Sequence, residues 1–189
     1  YSFEYSHWSA ERSLSDWMVE EKIPGIYGID TRMLTRKLRD KGTMLGKIVV
    51  NEKSKIEFQD PNKSNLVGEV SVKEVVEYKA GKQKIVLVDC GTKNNIIRAF
   101  LGRNISVLRV PYDYDFSKEK VNGILISNGP GDPKICRSTI ENTTKAMGKN
   151  IPILGICLGS QILALAAGAN TYKLKYGHRG HNQPCNENG

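Results

Sequence analysis

The chain has 189 residues, of which 39% are hydrophobic and 25% charged, and it carries a formal net charge of +8. That length suffices for one sizeable domain, or for one domain with part of another, and the composition is that of a soluble globular protein. No apolar run approaches the ~18–20 residues that span a bilayer, no apolar segment near the start reads as a signal peptide, and Lys and Arg are interspersed with Asp and Glu, so neither a membrane nor a nucleic acid is expected as a partner.

The chain starts at Tyr1 without a Met and reads as an excised or processed piece. Residues 11–22, "ERSLSDWMVEEK", have the spacing of a short amphipathic helix with Leu14, Trp17 and Met18 on one face. "IPGIYGI" carries turn and strand signals. Asp30 or Thr31 can then cap a helix through "TRMLTRKLRDKG", striped by Leu34 and Leu38 and closed by Gly42. Residues 43–50, "TMLGKIVV", read as a strand, and 51–82 as a polar, turn-rich stretch. A domain boundary is expected near 79–83, dividing a first domain (1–80) from a second (83–189).

From residue 84 the pattern changes. "KIVLVD" (84–89), "SVLRVP" (106–111), "NGILISN" (122–128) and "IPILGIC" (151–157) are apolar strands. They alternate with helical spacing at 92–104, 137–150 and 160–169. Continuous apolar strands between helices imply a parallel sheet covered on both faces, and so a doubly wound α/β domain. Ligands in such sheets sit at the carboxyl ends of the strands. Three loops fall there: "DCGTKNN", "SNGPGDP" and "CLGSQ".

The cysteines are Cys90, Cys136, Cys157 and Cys185, with no C-x-x-C pair, so a zinc ribbon is not expected. Reduced thiols and a cytoplasmic setting are expected instead.

Gly155-Ile156-Cys157-Leu158-Gly159 has the form G-x-C-x-G at a strand-to-helix junction. A sharp turn there needs small neighbours, lifts the cysteine above the sheet and places it at a helix N-terminus, where the dipole favours a thiolate. The Leu158 N–H could then face a developing oxyanion. The same five residues also suit a small buried cysteine in a Gly-rich turn. Ser127-Asn128-Gly129-Pro130-Gly131-Asp132-Pro133 follows a neighbouring strand. It suits either a plain surface turn or a loop presenting bare amides to a polar ligand.

Together, "SNGPGDP" and "GICLGSQ" resemble the class I, triad-type glutamine amidotransferases, whose domain is flavodoxin-like. "GIDTRMLTRKLRDKG", "VDCGTKNNIIR" and "YKLKYGHRGHNQP" narrow the likeness to the small, glutamine-hydrolysing subunit of carbamoyl-phosphate synthase, over residues 1–185. The resemblance implies part of a smaller α/β N-terminal domain followed by the first half of an amidotransferase domain. It implies that Cys157 is the nucleophile, that Leu158 and Gly131 supply oxyanion amides, and that Gly129, Gly131, Leu158 and Gln161 hold L-glutamine. Ammonia would pass to a large ATP-dependent synthetase subunit. No G-x-x-x-x-G-K-[ST] loop occurs here, so ATP and Mg are expected on that partner and no cofactor or metal on this chain.

Two departures accompany the resemblance. The family motif continues G-x-C-x-G-His-Gln, and this chain has Ser160 in place of the His. The family's catalytic His and its orienting Glu fall beyond residue 189, and its N-terminal serine for glutamine precedes residue 1. The 189 residues alone are therefore expected not to turn glutamine over. A fused form of the same module, in a multifunctional or mitochondrial synthase, stands as an alternative, as does a non-catalytic regulatory or scaffold domain. Some fused members lose glutaminase activity with their nucleophile, and Cys157 argues against that loss here. The pathway served stays open between arginine and pyrimidine synthesis.

His178 and His181 could be taken as a base for Cys157, or with Cys185 as a zinc site. Their setting in "KYGHRGHNQPC" reads instead as a structural family segment. Asp30 and Arg32 in "IDTR" read as helix capping with a salt bridge, or as an interface with the synthetase.

Overall fold

The computed structural model describes residues 4–50 and 55–177. By contact the chain divides into two units, Tyr1–Met44 with Leu174–Gly189, and Leu45–Lys173.

The first unit holds two helices. α1 (Leu14–Glu20) is capped by Ser13, whose Oγ accepts from the Asp16 N–H. α2 (Thr31–Lys41) is capped by Asp30, whose carboxylate accepts from the Met33 N–H at 2.8 Å. The expected cap is therefore present. Among the described residues no Asp30–Arg32 ion pair accompanies it. α2 ends at Gly42 with φ +85°, a conformation glycine adopts without the Cβ penalty. Its carbonyl end is closed by a distant segment. Lys175 Nζ donates to Asp40 O, Tyr176 Oη donates to Arg39 O, and the Thr43 N–H donates to Lys175 O. The first two bonds satisfy carbonyls that a helix leaves open, and the lysine lies at the negative end of the macrodipole.

The second unit is an α/β sandwich. Its helices are α3 (Leu66–Val70), α4 (Asn94–Leu101), α5 (Arg137–Met147) and α6 (Leu158–Ala166). Its strands are β1 (Val76–Tyr78), β2 (Gln83–Asp89), β3 (Ile105–Pro111), β4 (Gly123–Ile126) and β5 (Ile153–Gly155). They form one sheet in the order β1-β3-β2-β4-β5. The four strands expected from the apolar runs are all present and parallel, while β1 pairs antiparallel to β3 at the edge. The alternation of side chains sorts the core onto two faces. Val86, Val88, Val110, Ile124 and Ile126 pack with Leu158 and Ile162 of α6 and Ala146 of α5. Leu87, Val107 and Leu125 pack with Ile97 of α4 on the other face. Each fully buried aliphatic side chain contributes about 1.5–3 kcal/mol relative to exposure. The sheet is thus covered on both sides, and three parallel strand ends, those of β2, β4 and β5, lie side by side.

The structure departs from the sequence reading in several places. Residues 43–50 form no strand, and neither does "IPGIYGI". An apolar stretch becomes a strand only where a neighbour takes its N–H and C=O groups in a ladder; among the described residues neither segment has one, and the single backbone bond from Thr43 N–H to Lys175 O does not continue along 44–50. The stretch 51–82, read as turns, contains α3 and β1 instead. Division by composition near 79–83 and division by contact do not coincide. Val67 belongs to the core beneath the sheet, the Val72 N–H donates to Asp89, and Ser71 Oγ accepts from the Tyr112 N–H, which ties residues 66–78 to the second unit.

Candidate active site

The apolar run 151–157 ends in a turn that an ordinary residue enters only under strain. Cys157 has φ +52° and ψ −109°. A non-glycine residue held in such a region costs of order 1–3 kcal/mol, about what burial of one aliphatic side chain returns. The turn is built by its flanking glycines. A Cβ on Gly155 would lie 2.5 Å from the backbone of Gly159 and Ser160, and one on Gly159 would fall inside the carbonyl of Ile126. Both positions are therefore closed to any side chain. Cys157 itself is exposed, and it caps α6, so Leu158 is the first helical residue and its N–H is one that a helix leaves without an internal acceptor. Among the described residues nothing covers the Cys157 side chain, in contrast to the buried Cys90 and Cys136.

The "SNGPGDP" loop leaves β4 at the adjoining strand end, where Ile126 pairs in register with Gly155. The Ile156 N–H donates to Ile126 O at 3.0 Å. Gly129 packs against the elbow directly, since a Cβ there would lie 2.7 Å from Leu158 Cδ2 and closer still to Cys90 O. Gly131 takes φ +83°. Gln161 is half-buried one turn into α6, its backbone N–H donating to Cys157 O. Ser160 is exposed and its Oγ donates to the same carbonyl at 2.7 Å. The structure thus brings Cys157, Leu158 and Gly129 into one cluster and sets Gly131 and Gln161 on the segments that leave it.

The third loop, Cys90-Gly91-Thr92, follows β2 and is bonded to the loop after β4. The Cys90 N–H donates to Ser127 Oγ, and Asn128 Nδ2 donates to Gly91 O. Asp89 is completely buried and accepts from the Gly91 and Thr92 N–H groups. Its other oxygen, Oδ2, accepts from the Val72 N–H and from both Arg109 Nε at 3.0 Å and Nη2 at 2.8 Å. Neither Asp89 nor Arg109 was singled out by the sequence. Arg109 sits on β3 within a strand-like run, and only the register Leu87↔Arg109 discloses that its side chain can reach the end of β2.

The other cysteines differ from Cys157. Cys90 and Cys136 are buried. Burial raises both thiols, Cys136 to about 11 and Cys90 further. Among the described residues no group of His, Cys, Asp and Glu has the disposition of a metal site, and no histidine or carboxylate is hydrogen-bonded to Cys157 Sγ. His178, His181 and Cys185 lie outside the described residues. No described helix is long and apolar enough to cross a membrane.

The family model for class-I glutamine amidotransferases matches residues 86–189, and that for the CPSase domain of the carbamoyl-phosphate synthase small chain matches residues 1–48. The chain is 48% identical to the multifunctional protein pyr1-3 of Dictyostelium discoideum, over 98% of its own length and 9% of that protein. It is 53% identical to the multifunctional protein CAD of Squalus acanthias, over 95% of this chain and 8% of that one. It is 50% identical to the mitochondrial carbamoyl-phosphate synthase [ammonia] of Homo sapiens, over 97% of this chain and 12% of that one. The chain thus spans about a tenth of the length of the curated relatives it matches.

Proposed function

Since the chain belongs to the class-I glutamine amidotransferases and carries a carbamoyl-phosphate synthase small-chain segment at residues 1–48, we propose that it is the module that hydrolyses glutamine to supply ammonia for carbamoyl phosphate synthesis. The observation that carries this reading is Cys157, held exposed at φ +52° on a strand-to-helix elbow against the Gly129 loop.

In this reading Cys157 Sγ, as thiolate, attacks the side-chain amide carbon of L-glutamine. The carbonyl π pair moves onto oxygen, and the oxyanion is met by the Leu158 and Gly131 N–H groups, whose fixed dipoles act where charge develops. Collapse of the tetrahedral adduct expels the amide nitrogen as ammonia once it is protonated, leaving a γ-glutamyl thioester on Cys157. Water then cleaves the thioester to glutamate and restores the thiol. The bare loop Gly129–Gly131 admits the substrate closely, and Leu158 and Gln161 complete its seat. The base that takes and returns the proton is expected in the family's His and Glu, beyond the residues described. The ammonia is consumed at an ATP- and Mg-dependent synthetase centre, on a large subunit or a further part of the same polypeptide. The relatives' names and lengths favour the second arrangement, one glutaminase segment in a long multifunctional chain.

The test is labelling of the full-length protein with a glutamine-like chloroketone or diazo ketone. The expected result is one adduct on Cys157, blocked by free glutamine, with parallel loss of glutaminase activity. A protein that stays unlabelled at Cys157 and hydrolyses no glutamine would be a regulatory or scaffold domain on this fold.

A further inference from the structure

The ion pair between Asp89 and Arg109 lies one loop away from the elbow, and the reaction as described has no use for it. Its carboxylate is completely buried and receives five hydrogen bonds: from the Val72, Gly91 and Thr92 N–H groups and from Nε and Nη2 of Arg109. A buried charge so fully satisfied fixes the backbone that donates to it, because any movement of that backbone strands the charge. The backbone it fixes is Gly91, at φ +118°, and Thr92.

Those residues form the wall on which the "SNGPGDP" loop rests. Asn128 Nδ2 donates to Gly91 O at 3.0 Å, and the Cys90 N–H donates to Ser127 Oγ at 2.9 Å. A Cβ on Gly91 would lie 3.2 Å from Pro130 Cδ and 3.5 Å from Gly129 Cα. The loop is thus pressed between Cys90–Gly91 on one side and Leu158 on the other. Thr92 Oγ1 and Asn128 Oδ1 are buried without a hydrogen-bond partner among the described residues, so Asn128 Nδ2 and Ser127 Oγ carry the side-chain bonding across this junction, and Asn128 Nδ2 is the one that reaches Gly91. A relay of contacts therefore runs from Arg109 through Asp89, Gly91 and Asn128 to Gly129-Pro130-Gly131.

We propose that Asp89 and Arg109 are positioning residues for glutamine hydrolysis, fixing through Gly91 and Asn128 the loop whose Gly131 N–H meets the oxyanion. This rests on the glutaminase reading above. An oxyanion donor acts only in the transition state, and removing one costs about 10²–10³ in kcat. Loosening its support costs less and falls on kcat with little change in KM. Direct alkylation of Cys157 by iodoacetamide forms no oxyanion, so it reports the elbow and the thiolate without the loop.

The experiment compares wild-type full-length protein with Asp89→Asn, Arg109→Met, Arg109→Lys and Asn128→Ala, measuring glutamine kcat and KM beside the iodoacetamide rate at Cys157. The expected result for Asp89→Asn and Arg109→Met is about a tenfold or greater fall in kcat, with KM and the alkylation rate within about threefold. Arg109→Lys, which keeps the charge, should recover part of the loss. Asn128→Ala removes the far end of the relay without exposing a buried charge, and it should give the same split if the Asp89 variants fail to fold. Equal losses of kcat and alkylation, or an unchanged kcat in folded variants, would overturn the positioning role. A wild-type protein that neither hydrolyses glutamine nor takes the chloroketone on Cys157 would instead overturn the glutaminase reading, which keeps the two failures distinct.

Discussion

Gly129 and Leu158 touch so closely that a single Cβ on the glycine would stand 2.7 Å from Leu158 Cδ2 and closer still to the Cys90 carbonyl. The first clash could be relieved by a rotamer of Leu158, but that side chain is 2% exposed in the core. The second is with backbone and has no relief. Gly129→Ala should therefore open the junction of all three loops, with a stability loss of about 1–3 kcal/mol from overpacking. Denaturant midpoints of the two forms read the loss directly, and glutaminase activity should fall well beyond the change in folded fraction. A variant with native stability and activity would show that the loops are not in this contact.

Cys157 pays for its exposure in backbone strain, and the strain is measurable. At φ +52° an L-residue is disfavoured whatever its side chain, while glycine is not. Cys157→Gly and Cys157→Ala both remove the nucleophile and should both be inactive. They should differ in stability, with the glycine form more stable by about 1 kcal/mol, the reverse of their usual order at a helix start or strand end. Equal melting temperatures would place the elbow in an unstrained conformation.

Much of this was legible in the sequence because it is written in local patterns. The runs 84–89, 106–111, 122–128 and 151–157 are apolar on both pleats, which only a doubly covered sheet requires, and β2 to β5 follow. The elbow was legible because Gly155 and Gly159 are demanded by two backbone collisions that no other residue survives. What stayed hidden depends on distant partners. Residues 43–50 have strand composition but no strand partner among the described residues, whereas β1 is a short polar-flanked segment made a strand by the edge of β3. Arg109 carries no motif, and its meaning arises only from the register that sets it beside the end of β2.

The three described thiols should separate by reactivity. Cys157 is exposed, whereas Cys90 and Cys136 are buried and their thiols raised, mainly by desolvation. A disulfide reagent at pH 8 should modify Cys157 quickly and the other two only after unfolding. The shift also has a sign in stability. A thiol that ionises near 9.0 when unfolded and near 11 when folded keeps its proton longer in the native state, so Cys136 contributes no loss below about pH 9 and a progressive loss as pH rises toward 11. Replacing it with valine should flatten the fall of the denaturant midpoint between pH 8.5 and roughly 10.5. An unchanged slope would mean that the buried thiol is not what titrates.

Ser160 stands where the resembled family has histidine, one turn from the nucleophile's carbonyl. Its Oγ donates to Cys157 O at 2.7 Å, but that oxygen also accepts from the Ser160 and Gln161 N–H groups at 3.0 and 3.3 Å. The carbonyl therefore stays bonded whatever side chain occupies position 160. The side chain is exposed and points its hydrogen bond back along α6, away from any contact with Gly129 or Leu158 that the structure records. Ser160→His should consequently change glutamine kcat by less than about threefold, or ~0.6 kcal/mol in barrier height. Steady-state kinetics of the full-length protein decide the matter. A rise of tenfold or more in the histidine variant would mean that a ring at position 160 acts on Cys157, and that this chain works with a weakened nucleophile.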